Sequence, residues 1–184
     1  MLGLRSGLAM RVWGRAPKKM KVVKAPNKYY ADSKTITIFL AGSIEMGKAE
    51  NWQKNLTEML KKQRGLILNP RRDDWDSSWI QSINNPKFRQ QVEWELTAQN
   101  DADIIAMYFC PETKSPITLL ELGLFAKSKK LIVCCPEGYW RKGNVDIVCD
   151  DYQIDQARNL KDLYHRIIYR INCLTGGDCF WCRT

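Results

Sequence analysis

KTITIFLAG, residues 34–42, predicts a β-strand that runs directly into a helix. Its β-branched and apolar side chains are typical of strands, and the segment that follows predicts a helix from about Gly47 to Arg64. The same alternation of strand and helix continues along the chain. Further strands are predicted at residues 66–69, 103–109 and 130–135 and near VDIVC (145–149), and further helices at 86–100, 116–128 and 155–172.

This alternation predicts an α/β fold, a doubly wound (Rossmann/flavodoxin-like) parallel sheet with helices on both faces. The predicted strands are nearly continuous apolar runs, as expected where both faces of a sheet are covered. Ligands of such sheets bind beyond the carboxyl ends of the strands. A functional site is therefore expected among the loops at that edge, which comprise residues 42–47, 70–86, 110–116 and 136–144.

The positive charge of the chain is concentrated in its first 31 residues. The 184 residues carry a net charge of +9, and eight lysines and arginines precede Asp32, the first acidic residue. Subtracting these eight charges leaves +1 for residues 32–184, so the charge does not indicate a nucleic-acid-binding face on the domain. We therefore predict a basic N-terminal tail at 1–31, a domain at 32–172 and a Cys-rich C-terminal tail at 173–184.

The tail has spaced arginines, apolar residues between them and no acids, which is typical of an organellar transit segment. It predicts a mitochondrial protein. The alternatives are a disordered basic extension of a cytoplasmic protein and a nuclear import signal in PKKMK (17–21). The longest apolar runs, such as LIVCC (131–135), are too short to cross a bilayer, so no membrane span is expected.

Cysteines occur both in the predicted core and near the end of the chain. Three that lie in or beside predicted strands are expected to be small buried side chains of a reducing compartment: Cys110, Cys134 and Cys135. Four residues near the end have the chemistry to close a tetrahedral zinc site: His165, Cys173, Cys179 and Cys182. Because their spacing matches no standard zinc signature, no metal site is predicted.

SPITLLELGLFA, residues 115–126, predicts a helix that is apolar on nearly all sides. Ser followed by Pro is a strong helix start, with Ser115 as N-cap and Pro116 in the first helical position. Ile117, Leu120 and Leu124 share one face, and other apolar residues cover much of the rest. A helix of this kind is expected to be buried.

Glu121 is the single carboxylate of this apolar helix. Burial of an ionised carboxylate without a partner is unfavourable, but the first turns of a helix lie near the end whose dipole favours negative charge. A carboxylate that is ionised, oriented and facing a pocket can act as a nucleophile toward an acetal-like carbon. The alternative is a structural ion pair with an arginine across the core.

Other polar residues lie at or near the predicted ligand edge. One predicted helix carries Glu93 and Glu95, and two carboxyl groups about 5 Å apart suit a retaining glycosyl transfer, although exposed helical glutamates are ordinary. Gly42 and Ser43 lie in a strand-to-helix turn whose amides have access to an anion or a sugar, or simply connect the two elements. Arg71 is a candidate phosphate ligand or part of a solvated edge.

Together these segments resemble the nucleoside 2-deoxyribosyltransferase superfamily, in particular its 2-deoxyribosyltransferase-like branch. The resemblance is carried, in this order, by LAGS (40–43), NPRRDDW (69–75), QVEWEL (91–96), DIIAMYF (103–109), SPITLLELGLFA (115–126) and YWRKGNVDIV (139–148). It covers residues 35 to 150, which is most of the predicted domain.

The resemblance implies catalytic roles for two glutamates and no metal or organic cofactor. Glu121 lies where the family places the glutamate that attacks C1′ of the deoxyribose and forms a covalent glycosyl-enzyme. Glu95 lies where the family usually has an aspartate that acts on the base and orients the sugar, so this chain has one additional methylene in that side chain.

The resemblance also implies substrate contacts. Gly42 and Ser43 lie in the loop that lines the nucleoside pocket, and Asn144 corresponds to an asparagine that contacts the 5′ end of the sugar from a neighbouring subunit, which implies a homo-oligomer. Ser115 departs from the transferases, which usually carry Asp there. At this position the chain is similar to the deoxynucleoside 5′-monophosphate N-glycosidases, whose serine favours a phosphate.

The implied function is cleavage or transfer of the N-glycosidic bond of deoxynucleosides or their 5′-monophosphates through a glycosyl-glutamate intermediate. One alternative is a catalytically inactive subunit with a structural role in a larger assembly of the mitochondrion. A second alternative is a sensor that binds a nucleotide without turnover.

Overall fold

The computed structural model describes residues 19–44 and 51–176, and in this part of the chain strands and helices alternate as predicted. The elements in chain order are β1 (Met20–Lys24), β2 (Thr37–Gly42), α1 (Trp52–Leu60), β3 (Gly65–Asn69), α2 (Pro86–Asp101), β4 (Ile104–Tyr108), α3 (Pro116–Phe125), β5 (Leu131–Cys134), α4 (Lys142–Asp151), β6 (Asp155–Ala157) and α5 (Leu160–Leu174). A short 3₁₀ helix at Ala126–Ser128 follows α3.

The described strands form one sheet in the order β1-β3-β2-β4-β5-β6, and every pairing is parallel. Buried side chains of α1 and α5 cover one face, and those of α2, α3 and α4 cover the other. The predicted doubly wound α/β fold is therefore confirmed. β2 has β3 on one side and β4 on the other. The loop after β2 leads to α1 on one face of the sheet, and the loop after β4 leads to α3 on the other face. Folds of this kind bind ligands in the crevice between two such loops.

Both faces of the sheet are buried. In β4, Ile105 and Met107 point into the core under α2, α3 and α4, whereas Ile104 and Ala106 point into the core under α1 and α5. Full burial of a large aliphatic side chain contributes about 1.5–3 kcal/mol to stability. The rigid layers place the carboxyl ends of β2 and β4 beside each other, with Gly42 paired to Tyr108.

β1 is formed by residues that the sequence analysis assigns to the basic tail. MKVVK pairs in parallel with β3 from Met20 to Lys24, and the amide of Ala25 then donates to the carbonyl of Asn69 at 3.0 Å. Val23 packs into the core. A strand therefore lies within the predicted tail, because an edge strand tolerates exposed lysines and so has the composition of a basic tail.

The segment VDIVC lies in α4, so the strand predicted there is wrong. Val145 and Cys149 are four residues apart and buried, whereas Ile147 is 70% exposed, which is the periodicity of a helix. The strand of this region is β6, at residues 155–157. It is followed by α5, which begins at Leu160 because the side chain of Asn159 caps it by accepting from the amide of Asp162.

The three cysteines expected in the core are buried: Cys110, Cys134 and Cys135. Burial raises the pKa of Cys134 to about 12, so this thiol is not a nucleophile near neutral pH. Cys173 is disulfide-bonded, and Cys179 and Cys182 lie outside the described residues. No three potential metal ligands cluster within residues 19–44 and 51–176, and no helix in these ranges has the length and apolar character of a membrane span.

Candidate active site

α3 buries two polar side chains, Thr118 and Glu121, beside the apolar Leu122 and Phe125, and exposes several apolar side chains to solvent. Glu121 is 8% exposed. In contrast, Ile117, Leu120 and Leu124 are 60%, 59% and 58% exposed, so the expectation of a fully buried helix is wrong. Leu122 and Phe125 pack into the core, whereas Glu121 meets a polar group of α2, so the inner face of α3 is partly polar.

Glu121 is held by a glutamine of the neighbouring helix. Gln99 of α2, which is completely buried, donates from Nε2 to Glu121 Oε1 at 2.7 Å. No arginine or lysine pairs with Glu121 among the described residues. The structural ion pair offered as the alternative is therefore absent from this part of the chain.

Glu95 lies on the same face of α2 as Gln99, one turn earlier in the helix. Gln91 donates from Nε2 to Glu95 Oε1 at 2.7 Å and also to the carbonyl of Pro70 at 2.8 Å, which ties this carboxyl group to the end of β3. Glu93, in contrast, is exposed and accepts from Nε of Arg89 at 2.7 Å. The structure thus separates the two glutamates of α2 into an inner one and a solvent-facing one.

Glu121 and Glu95 are electrostatically coupled. Burial raises the pKa of Glu95 to about 7, against a smaller lowering by the hydrogen bond from Gln91. Burial, and to a smaller extent the charge of Glu95, raises the pKa of Glu121 to about 8. The hydrogen bond from Gln99 acts in the opposite direction and lowers this pKa. The pair therefore holds about one proton near neutral pH.

Three buried hydroxyl groups join the loops that follow β2 and β4. The Ser43 hydroxyl oxygen lies 2.8 Å from that of Thr113 and 2.5 Å from that of Ser115, and the last two are 2.7 Å apart. Ser43 Oγ also accepts from the amide of Cys110 at 2.9 Å. This hydroxyl cluster (Ser43, Thr113 and Ser115) fixes the position at which α3 begins.

Ser115 stands at the N-cap position of α3, but its side chain does not cap the helix. The backbone at Ser115 is left-handed, with φ 45° and ψ 53°, and its hydroxyl group joins the hydroxyl cluster. The expected capping hydrogen bond is therefore wrong, because the left-handed backbone directs the hydroxyl group toward Ser43. Asn and Asp tolerate this conformation better than Ser does.

Gly42 occupies a position that excludes any other residue. Its φ is +142°, and a Cβ atom built there would lie 2.3 Å from the carbonyl oxygen of Tyr108 and 2.9 Å from Cζ2 of Trp52. The indole of Trp52 also donates to the carbonyl of Ser43 at 3.1 Å. The glycine thus permits β2 and β4 to approach closely where the hydroxyl cluster begins.

Arg71 lies on the other side of the sheet from the two carboxyl groups. It lines a cavity of about 180 Å³ next to α1, together with Lys24, Lys54 and Asn69. Its amide donates to Asn69 Oδ1 at 2.9 Å, and its Nη1 is buried without a hydrogen-bond partner. A buried, permanently charged group of this kind favours an anion. No described contact joins Arg71 to Glu95 or Glu121.

Asn144 lies in the first turn of α4 and is exposed. It is not brought to the carboxyl pair by any described contact within the chain. Residues 45–47 of the predicted ligand edge lie outside the described residues. Within residues 19–44 and 51–176, the structure therefore brings together Glu95 and Glu121 on one hand, and Ser43 and Ser115 on the other.

Gln91 and Gln99 are site residues that the sequence analysis missed. Together with Glu95 they form a polar series at four-residue spacing in α2, so all three lie on one face of the helix. Two of them are buried glutamines, a residue type that is mostly exposed. The four-residue spacing of these polar residues is the sequence pattern that predicts a polar inner face of α2.

A comparison with protein families identifies the family of the chain. A model described as nucleoside 2-deoxyribosyltransferase like matches residues 35–139, which is more than half of the chain. The matched segment contains β2, α1, β3, α2, β4, α3 and β5, and with them both carboxyl groups and the hydroxyl cluster. A search of curated proteins gave no match.

Proposed function

The chain belongs to the nucleoside 2-deoxyribosyltransferase-like family, and we propose that it cleaves or transfers the N-glycosidic bond of deoxynucleosides or their 5′-monophosphates. The observation that carries this proposal is the carboxyl pair of Glu121, which is buried, and Glu95, which is partly buried, each held by one glutamine of α2. Glycoside chemistry with retention needs one ionised carboxylate and one protonated carboxyl group at the same site. A coupled pair that holds one proton near neutral pH supplies both.

In the proposed reaction Glu121 is the nucleophile and Glu95 the acid. Because burial raises the pKa of Glu121 to about 8 and that of Glu95 only to about 7, the shared proton moves from Glu121 to Glu95 before the attack. An oxygen of Glu121 forms a bond to C1′ while the bond from C1′ to the base nitrogen breaks, and the base takes the proton of Glu95. A water molecule then attacks C1′, gives one proton to the Glu95 carboxylate and releases Glu121 as a carboxylate. In a transferase, a second base takes the place of water.

The proposed substrate contacts involve the loops around this pair. Gly42, Ser43 and Ser115 form the wall at the ends of β2 and β4, and a serine rather than a carboxylate at position 115 supports 5′-monophosphates as substrates, because it adds no negative charge beside a phosphate. Arg71 is proposed to bind an anion in the separate cavity beside α1, and its buried Nη1, which has no hydrogen-bond partner among the described residues, supports this role.

The active form is proposed to be a homo-oligomer. Asn144 is exposed on α4, which supports a contact with the substrate of a neighbouring subunit rather than with that of its own. The three exposed apolar side chains of α3 support the same proposal, because large apolar residues grouped on one helix face indicate an interaction surface.

The decisive experiment is incubation with a panel of deoxynucleosides and their 5′-monophosphates, followed by chromatography for the released base. Three variants accompany the wild type: Glu121→Gln, Glu95→Gln and the matched control Glu93→Gln. Base release that is lost in the first two variants and kept in the third supports the proposal. Equal activity in wild type and Glu121→Gln contradicts it.

The second candidate function is a catalytically inactive subunit of a larger assembly. The observation that favours it is the exposed apolar face of α3, formed by Ile117, Leu120 and Leu124. Such a subunit releases no base from any member of the panel and co-purifies with other proteins. Turnover of any panel member that depends on Glu121 excludes this second function.

A further inference from the structure

α2 carries a stripe of three polar side chains, Gln91, Glu95 and Gln99, at four-residue spacing. Each glutamine donates one Nε2–H to one carboxyl group. Gln91 donates to Glu95 within the helix, and Gln99 reaches across to Glu121 of α3, both at 2.7 Å. One glutamine is thus assigned to each member of the carboxyl pair.

The side chains of both glutamines are buried and are held by these contacts. Gln99 and Gln91 are 0% and 4% exposed, and the Oε1 atom of each is buried without a hydrogen-bond partner. Gln91 has one further contact, the carbonyl of Pro70 at 2.8 Å. A buried amide with an unpaired oxygen is unfavourable for folding. The presence of two such amides beside one carboxyl pair therefore indicates a role there.

That role follows from the effect of an N–H donor on the protonation of the carboxyl group that accepts from it. An N–H donor stabilises the ionised form of a carboxyl group over the protonated form. The groups that act on Glu121 are the surrounding protein through burial, the charge of Glu95 and the amide of Gln99. Burial is the larger influence on both carboxyl groups, and each amide donor acts against it by shifting the shared proton toward the other carboxyl group.

Resting on the proposed function, we propose that Gln99 and Gln91 are positioning residues that set which member of the pair holds the shared proton. Gln99 favours the ionised form of Glu121, the form that attacks C1′. Gln91 favours the ionised form of Glu95 and therefore opposes the productive arrangement, while it fixes that side chain to Pro70. The two glutamines act in opposite directions on one equilibrium.

The test uses three substitutions of the same chemical kind. Gln99→Met and Gln91→Met each remove one donor at nearly constant side-chain volume. Gln53→Met is the matched control, because Gln53 of α1 is also completely buried and its side chain has no hydrogen-bond partner among the described residues. Gln99→Asn is a second variant at position 99, since its shorter amide does not reach Glu121 and keeps the site polar.

The first measurement needs no turnover. Proteins labelled with ¹³C at the glutamate carboxyl carbons are titrated by NMR, with Glu121→Gln and Glu95→Gln for assignment. In Gln99→Met and Gln99→Asn the pKa of Glu121 is expected to rise, and in Gln91→Met the pKa of Glu95 is expected to rise. In Gln53→Met neither value moves. An unchanged Glu121 titration in both variants at position 99 overturns the proposal.

The second measurement is the pH profile of kcat/KM for base release. A change of one pKa unit redistributes the proton about tenfold, so the maximum is expected to fall about tenfold in Gln99→Met and to stay level or rise in Gln91→Met. Equal losses in the variants at positions 99, 91 and 53 mean that the glutamines only support packing, and overturn the proposal. If the wild type releases no base, the proposed function fails and the NMR titration alone decides the role of the glutamines.

Discussion

The hydroxyl group of Ser43, directly after β2, lies 2.5 Å from the hydroxyl group of Ser115, which directly precedes α3. This contact joins the two loops at the ligand edge and holds Ser115 in a left-handed conformation with φ 45°. The helix that carries Glu121 therefore starts from a position that is fixed by the end of another strand.

Two substitutions separate the hydroxyl group of Ser115 from its backbone conformation. Ser115→Ala and Ser115→Gly both lose the hydrogen bonds, but only glycine adopts the left-handed region without a steric penalty of about 1–2 kcal/mol. After glycine's larger loss of chain entropy, Ser115→Gly is expected to be the more stable variant by roughly 1 kcal/mol. Chemical denaturation of both variants measures the difference, and a more stable alanine variant contradicts the left-handed assignment.

The pH dependence of turnover follows from the carboxyl pair. The pKa values of Glu95 and Glu121 are raised to about 7 and about 8. Below both values neither group is ionised and the nucleophile is lost, and above both values neither is protonated and the acid is lost. We expect kcat/KM for base release to peak between about pH 7 and pH 8 and to fall on both sides. A rate that keeps rising beyond pH 9 would rule out a protonated Glu95.

Glu121→Gln provides a stability test that is independent of activity. Because the folded protein raises the pKa of Glu121 from 4.5 to about 8, the unfolded chain loses this proton at a lower pH than the folded chain does. The contribution of Glu121 to stability is therefore present below pH 4.5 and is lost as the pH rises through about 8.

Glutamine has no such proton to lose, so the melting temperature of Glu121→Gln relative to wild type is expected to increase from pH 5 to pH 8. Glu93→Gln, at an exposed position of α2, serves as the control and shows no such trend. A difference between Glu121→Gln and wild type that is constant with pH contradicts the raised pKa.

Two truncations test the role of the first 31 residues. A chain without residues 1–18 keeps β1 and is expected to be as stable as the full chain. A chain without residues 1–31 loses the pairing of β1 with β3, the hydrogen bond from Tyr29 to Asp101 and the one from Trp94 to the carbonyl of Asn27. Each hydrogen bond is worth about 1 kcal/mol, and 1 kcal/mol is about 2–4 °C in a protein of this size.

Thermal unfolding of the shorter chain is therefore expected at least about 5 °C lower than that of the full chain. Mitochondrial import is expected to be lost in both truncated chains, which separates targeting from folding. Import that persists without residues 1–18 would remove the mitochondrial proposal.

The exposed face of α3 gives a test of assembly. Leu124→Lys places a charge on this exposed face, one turn after Glu121 in α3, and the mass in solution measured by light scattering is expected to fall to that of the monomer. Ile80→Lys is the control, because Ile80 is 74% exposed but lies in the loop before α2. Stability is expected to change by no more than about 0.5 kcal/mol in either variant. Equal masses for Leu124→Lys and wild type exclude this face as the contact.

The fold was predictable from sequence because its strands are short apolar runs and its helices lie between them. β2, β3, β4 and β5 coincide with the predicted strands to within a few residues. VDIVC was misassigned because its β-branched residues favour a strand locally, whereas the burial of Val145 and Cys149 against the sheet favours a helix. β1 was missed because an edge strand has only one neighbour and its sequence requires little apolar character.

The site was less predictable, since periodicity indicates the inner face of a helix only when that face is apolar. In α3 the inner face contains Thr118 and Glu121 as well as Leu122 and Phe125, and the leucines at positions 120 and 124 lie outside. Because α3 is apolar on nearly all sides, its sequence predicted burial throughout and did not show which side faces solvent. The partnership of Gln99 with Glu121 depends on the distance between two helices, which no single segment of sequence contains.

The strand order β1-β3-β2-β4-β5-β6 also has a consequence for synthesis on the ribosome. Met20 pairs with Gly65, so 45 further residues are translated before β3, the neighbour of β1 in the described sheet, begins. This takes roughly 2–9 s at ordinary elongation rates. β2, in the middle of the order, is translated before either of its neighbours. The nascent sheet is therefore expected to grow outward from β2, and Glu95 and Glu121 meet only after α3 has left the exit tunnel.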